Sequence, residues 1–370
     1  TEKNQPQQNV YPQAAASVNP AQPSPVSPLV SVVLPAWNAA HTLGDALQSL
    51  LDQTPAPGAP LPDFEVIVVD DGSTDSSHTL LEHWRSGHLL GNRLRPLYLP
   101  HGGIVPALNA GLSAARGTFV ARMDADDTAH PQRLSRQAAH LFNNPQTDLS
   151  ATCVTFGGDR QMAHGFAHFV DWQNSLQSPT EISRNRFRDT PVCHPTTMFR
   201  REAVDRWGHY ADGDFAEDWE IWLRWLHQGA VMEKLPEQML VWNDAPTRAT
   251  RADRRYARAA CDRLRAVWLA RWLEQNNPFH PHVWVVGGGR VARQRLAPLW
   301  EQGPTPAAYI DIDPDKIGNR IKGVAVMGRS ALPPAGQCCI LNALTAHGAA
   351  EEASQWLTET GHQPGQFLIV

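Results

Sequence analysis

The chain has 370 residues, 42% hydrophobic and 19% charged, enough for two folded units of ordinary size. Its net charge of −5, from 32 basic and 37 acidic residues, argues against a nucleic-acid binder, which would present a basic stripe. Five cysteines, an odd number with no C-x-x-C pair, argue against a disulfide framework and for a reducing compartment.

Residues 1–28 are rich in Pro, Gln, Ala and Ser without apolar periodicity, and are expected to be a disordered tail or linker. No signal peptide is visible, and no apolar run approaches the ~20 residues that span a bilayer. The expected location is the cytoplasm, with room for a peripheral contact at the inner face of the membrane. From Leu29, LVSVVLPA reads as a short strand buried on both faces, followed by a helix over 40–51. FEVIVVDDGSTD repeats the pattern and ends in acidic and turn residues, with Ser73, Thr74 and Asp75 suited to a helix start. Next come a strand at 97–99, a Gly-Gly turn and a helix over 104–115. GTFVARMDADD is a third buried strand ending in carboxylates. Strands alternating with helices predict an α/β fold with a mainly parallel sheet and ligands at the C-terminal strand ends. Residues 150–245 are less regular and carry one clear helix, AEDWEIWLRWLHQ. Residues 251–277 read as an Arg-rich connecting helix. A fresh start at 278, with HVWVVGGGRVARQRL, AAYIDID, CCILNAL and QFLIV, predicts a small Rossmann-like α/β unit over 278–370 that folds separately.

Three acidic clusters stand at expected strand or loop ends: Asp70-Asp71, Asp124 with Asp126 and Asp127, and Glu217-Asp218. Any one of them could simply cap a helix or end a strand. Together they repel one another unless something neutralises them, and oxygen-only ligands suit Mg²⁺ or Mn²⁺. In the last unit, Gly287 and Gly289 open a G-x-G-x-x-A turn ending at Ala292, with Asp311 and Asp313 about twenty residues on. That turn suits ribose and diphosphate binding, and equally suits tight strand–helix packing. No NAD or oxidoreductase role is assigned, since no Tyr-x-x-x-Lys pair accompanies it.

Residues 29–250 resemble the family 2 glycosyltransferases through VSVVLPAWNAAHTLGDALQSLLDQ, FEVIVVDDGSTDSS, GGIVPALNAGLSAARGTFVARMDADD, HPTTMFRREAV and FAEDWEIWLRW. The resemblance implies a GT-A fold and an inverting transfer from a nucleotide-sugar donor, UDP-sugar favoured, to a glycan, lipid-linked or other hydroxyl acceptor in polysaccharide or glycoconjugate assembly. It implies that Pro35, Ala36, Trp37 and Asn38 border the base and ribose, and that Asp70 and Asp71 bind them. Asn109 and Gly111 fall beside the diphosphate. The resemblance further implies that Asp124 touches ribose and metal and that Asp126 ligates the metal. Asp218 is implied as general base with Glu217 orienting it, and His194 borders the acceptor side, though a packed structural histidine is an equal reading. Arg248 and Arg251 suit closure over a diphosphate. The alternative function is a catalytically silent sugar-nucleotide-binding or regulatory protein.

Overall fold

The computed structural model describes residues 30–87, 90–244, 253–346, 348–363 and 365–370; the expected tail over 1–28 lies outside them. The first half is built on an eight-stranded, mostly parallel, curled sheet. Four strands come in the expected alternation with helices: β1 (Val30–Ala36), β2 (Phe64–Asp70), β3 (Leu94–Tyr98) and β4 (Phe119–Arg122). They lie parallel in the order β3-β2-β1-β4, and the sheet continues through β7 (Met198–Arg200), β6 (Leu149–Phe156), β8 (Met232–Trp242) and β5 (Thr128–Ala129). β7 runs antiparallel to β4 and β6, while β6 and β8 pair in parallel.

Alternation along β1 and β2 decides the layers. Val32, Leu34, Val66 and Val68 point into one core with Leu43, Leu47 and Leu50 of α1 (Leu43–Leu51). Val33, Ile67 and Val69 point into the other, with Leu108 and Leu112 of α3 (Ile104–Ala114) and Trp222 and Trp225 of α8 (Glu217–His227). Between these come α2 (Ser77–Ser86), α4 (Arg133–Asn143), α5 (His164–Ser175), α6 (Pro179–Asn185) and α7 (Arg201–Trp207). Chain order reverses on either side of β1, so the crevice of an open α/β sheet falls at the carboxyl ends of β1, β2 and β4. Ala36 pairs with Asp70, and Val33 pairs with Arg122, which sets the acidic loops after β2 and β4 side by side.

A second sheet follows, in the order β11 (Arg320–Ile321), β12 (Val324–Met327), β10 (Thr305–Ile310), β9 (His282–Val286), β13 (Ile340–Asn342) and β14 (Phe367–Ile369). The four expected strands are β9, β10, β13 and β14; the β11–β12 hairpin comes from the IGNRIKGVAVMG stretch. The helix Arg258–Asn276 precedes it. Its Leu264, Trp268, Leu269 and Leu273 share one core with Trp219 and Leu223 of α8 and with Val283, Val285 and Leu296 beyond residue 278. Two opposite faces of α8 are thus apolar, one for each sheet. A continuous core therefore crosses the expected boundary.

Gly111 lies on α3 against β1. A Cβ built there would sit 2.4 Å from Val33 Cγ1 and 3.3 Å from Val69 Cγ2. Alanine in a helix interior is ordinarily favoured by about 1 kcal/mol, but overpacking a core costs about 1–3 kcal/mol. Val33 is itself fixed in a central strand, so the clash prevails. Gly111→Ala is expected to lower stability by roughly 1–2 kcal/mol in urea unfolding; a midpoint at or above that of the wild type would contradict this packing.

Candidate active site

The loops after β1 and β2 are stitched together by the side chains that the sequence pattern singles out. Pro35 and Ala36 are the buried last residues of β1, and the Ala36 carbonyl accepts the Asp71 N–H at 2.9 Å. Asn38 takes a positive φ of 50°, which Asn tolerates better than most residues. Its N–H donates to Ser73 Oγ at 2.9 Å, and its Oδ1 accepts the Thr74 N–H at 2.8 Å. Asp70 accepts the Ser73 N–H at 3.0 Å. Asp71 accepts the N–H groups of Gly102 and Gly103, both at 2.8 Å, and lies 2.9 Å from His101 Nδ1. The Gly-Gly turn ahead of α3 is therefore fixed by Asp71. Trp37 is 54% exposed and stacks on His101 with ring centroids 4.6 Å apart. On α3, Asn109 donates to the Tyr210 carbonyl at 2.9 Å and accepts the Tyr210 N–H at 3.1 Å. Both ends of this amide hold Tyr210, while Gly111 faces the sheet.

After β4 the chain turns, and Asp124, Asp126 and Asp127 converge: each offers one oxygen, all within 4.8 Å of one another. Arg122, the last residue of β4, is buried, and its guanidinium lies 2.6 Å from Asp124 Oδ1. Burial works against its charge, but Asp124 and Asp127 more than offset that and keep it protonated. Asp127 Oδ1 accepts the Asn243 N–H at 3.0 Å, tying the acidic loop to the end of β8.

Glu217 and Asp218 open α8, where the helix dipole favours carboxylates. Glu217 is buried, which pushes its carboxyl up; the Tyr256 hydroxyl, 2.7 and 2.8 Å from its two oxygens, pulls it back. Asp218 is half-buried and its carboxyl is pushed up to about 7, by burial first and by the neighbouring Glu217 charge second. His194 is buried, 2.7 Å from Tyr210 Oη, and packs edge-on to Trp222. Burial and the positive Arg122 hold it well below the usual histidine range, so it is neutral near pH 7.

One cavity of about 560 Å³ joins these groups: Asp124 and Asp126 line it together with Arg122, His194, Glu217 and Asp218. Residues 35–38, Asp70 and Asp71 stand in the crevice at the ends of β1 and β2 and are not among its lining residues. Arg248 and Arg251 lie outside the described residues. Three residues that the sequence reading did not single out belong to the site by position: Arg122, Tyr210 and Tyr256. Arg122 alone carried a signal, a charge inside an otherwise apolar strand. Tyr210 and Tyr256 meet partners far away in the chain, which no local pattern reveals. Arg254 and Arg255 were also passed over; they border a neighbouring cleft of about 570 Å³ with Gly102 and Gly103.

Residues 31–208, from β1 through α7, match the family described as Glycosyl transferase family 2. The glycosyltransferase EpsJ of Bacillus subtilis is 28% identical over 240 residues, covering 60% of this chain and 63% of that protein. The chondroitin synthase of Pasteurella multocida is 29% identical over 206 residues, covering 53% of this chain and 19% of that much longer protein. The chain therefore spans less than two thirds of either relative. Among solved structures, S. aureus TarS 1–349 in complex with UDP-GlcNAc superposes with a TM-score of 0.51 at 20% identity, over 74% of this chain and 81% of that one. At that identity the likeness is one of fold, and the fold is GT-A. Sequence match and sheet arrangement agree: residues 31–208 match the family 2 glycosyltransferases, on a sheet of GT-A fold.

Proposed function

We propose that this protein transfers a sugar, with inversion, from a nucleoside-diphosphate donor to a hydroxyl acceptor. The observation that carries the reading is the cavity itself, which is lined both by Asp124 and Asp126, two members of an acidic cluster suited to a metal, and by the Glu217-Asp218 pair. The donor base lies against the exposed face of Trp37. Asp70, whose Oδ1 accepts one backbone amide, is the carboxylate best placed to take an N–H from uracil, which is why a UDP-sugar is favoured. The names of relatives, a chondroitin synthase among them, support a saccharide product.

Asp124, Asp126 and Asp127 form an all-oxygen set that fits Mg²⁺ or Mn²⁺. A divalent ion held there would stabilise the charge that grows on the departing diphosphate. The rest of the chemistry falls to the chain's own side chains. The acceptor O–H gives its proton to the Asp218 carboxylate as its oxygen bonds to the anomeric carbon. The bond from that carbon to the β-phosphate oxygen breaks, and its electron pair leaves with the nucleoside diphosphate. A carboxylate pushed up to about 7 is a stronger base than an ordinary Asp and is still ionised at neutral pH in a useful fraction. His194, neutral and hydrogen-bonded to Tyr210, borders the acceptor as a polar wall rather than as the base. The unit over 278–370 is an appended Rossmann-like domain in this reading.

Two outcomes test it. Asp126→Ala is expected to abolish Mn²⁺-dependent UDP binding measured by calorimetry; unchanged affinity would remove Asp126 from the metal set. Asp218→Asn is expected to leave UDP and Mn²⁺ binding nearly intact while cutting kcat by ~10²–10⁴. The sign of the pH dependence follows from the raised carboxyl. Below about pH 7 Asp218 is increasingly protonated and cannot accept a proton, so kcat falls towards acid. An acid limb that survives unchanged in Asp218→Asn would assign the base elsewhere.

A further inference from the structure

We propose that Tyr256 is a positioning residue of the transfer reaction, holding Glu217 as an oriented anion beside Asp218. The inference rests on the transferase reading of the cavity and extends it to a part of the chain beyond residue 208, where the family match ends. Tyr256 closes a single 3₁₀ turn, Arg254–Tyr256, that leads into the helix Arg258–Asn276. That turn is braced from within. Asp253 accepts the Arg255 N–H at 2.9 Å and grips the Arg255 guanidinium at 2.9 and 2.6 Å. The helix that follows is locked by its core with Trp219 and Leu223, on the same α8 that begins with Glu217. Donor and acceptor are therefore carried by two elements packed on each other, and the tyrosine hydroxyl reaches both carboxylate oxygens. Tyr256 and Cys261 also line the cavity, so this turn and the start of the helix form part of its wall.

Glu217 and Asp218 are adjacent, one buried and one half-buried, and a second negative charge there is costly. The groups that face the pair are Tyr256 and Arg255 from the turn, Cys261 from the helix, Arg122 from β4, Tyr210, and Asp189. Tyr256 donates a hydrogen bond to Glu217, and its hydroxyl is kept protonated by burial and by that same carboxylate. A phenol fixed in this way stabilises the Glu217 anion, and that anion raises the proton affinity of Asp218. Without the hydroxyl, Glu217, buried and next to the Asp218 charge, would take up a proton, and Asp218 would face a neutral neighbour and become a weaker base.

The experiment uses the full chain, with UDP and Mn²⁺ for binding and release of UDP from a panel of UDP-sugars for turnover. Tyr256→Phe is expected to bind UDP within about twofold of the wild type and to lose kcat by about tenfold. Its acid limb should move to lower pH, because Asp218 is no longer next to a negative charge. Infrared spectra at neutral pH should show a protonated-carboxyl C=O band in Tyr256→Phe that vanishes when Glu217→Gln is added. Glu217→Gln alone should reproduce the shifted acid limb, and Tyr256→Phe should add little on top of it. An unshifted limb in both single variants, or no new infrared band, would overturn the proposal. If Tyr256→Phe does not fold, the limb of Glu217→Gln decides. If the wild type neither binds UDP nor turns over any donor, the transferase reading fails, while the infrared arm still decides whether Tyr256 holds Glu217 ionised.

Discussion

The site depends on one buried charge, the guanidinium of Arg122. Five carboxylates, Asp124, Asp126, Asp127, Glu217 and Asp218, approach the carboxyl end of β4 from two directions, and mutual repulsion would drive such a group apart or protonate it. Arg122 sits between them, paired with Asp124 and acting on Asp127, Glu217 and Asp218 through space. Its own backbone is braced: its N–H donates to the Thr197 carbonyl at 2.8 Å, and its carbonyl accepts from buried Arg133 at 2.7 Å. Arg133 is in turn bound by Gln137, whose amide reaches the carbonyls of Ser150 and Thr196. A chain of buried polar contacts thus fixes where the central cation stands. Burial first and the same charge second keep His194 neutral, so Arg122 acts on groups along both walls of the cavity.

The sheet carries this arrangement because β2 and β4 flank β1 and both give way to their acidic loops at or just before its carboxyl end. Register places Ala36 beside Asp70 and Val33 beside Arg122, and close packing of α3, possible only with glycine at 111, keeps the helix near β1. The loops are then tied side chain to backbone, Asn38 to Ser73 and Thr74, Asp71 to Gly102 and Gly103.

Much of this was legible in the sequence for a local reason. LVSVVLPA, FEVIVVDD and GTFVARMDADD are short buried strands with polar ends, and period and terminus both lie within about ten residues. Glu217 and Asp218 opened an apolar helix, which is also a local signal. What stayed hidden depends on long-range pairing. β5, β7 and β11 are two or three residues long and exist only because a partner strand is present. Asn109 was read as a diphosphate contact from its helix motif, but its amide grips the backbone of Tyr210, a hundred residues away. Asp71 was read as a base or ribose contact, and the structure has both its oxygens on backbone amides. In both cases the side chain has an intramolecular partner that the local pattern does not show.

The C-terminal unit is read as a separate Rossmann-like domain for the same local reason: strand, glycine turn, helix and acidic strand end recur in nucleotide-binding domains. Its polar groups are largely turned inward. The Gly288 N–H donates to Asp311 Oδ2 at 3.1 Å, and Lys316 lies 3.4 Å from Asp311 and 3.0 Å from Asp313. The cavity at the turn is about 100 Å³, well below the roughly 300–1,000 Å³ of small-molecule sites. A Cβ at Gly287 would come within 2.9 Å of Leu344, so this glycine serves close packing. The apolar face of the helix Arg258–Asn276, by contrast, is fully committed to a core shared with α8. This unit is thus linked to the large sheet through α8, the helix that begins with Glu217 and Asp218. A segment joined there stiffens α8 along the face away from the large sheet, and any loosening of that shared core would be felt first at Glu217 and Asp218.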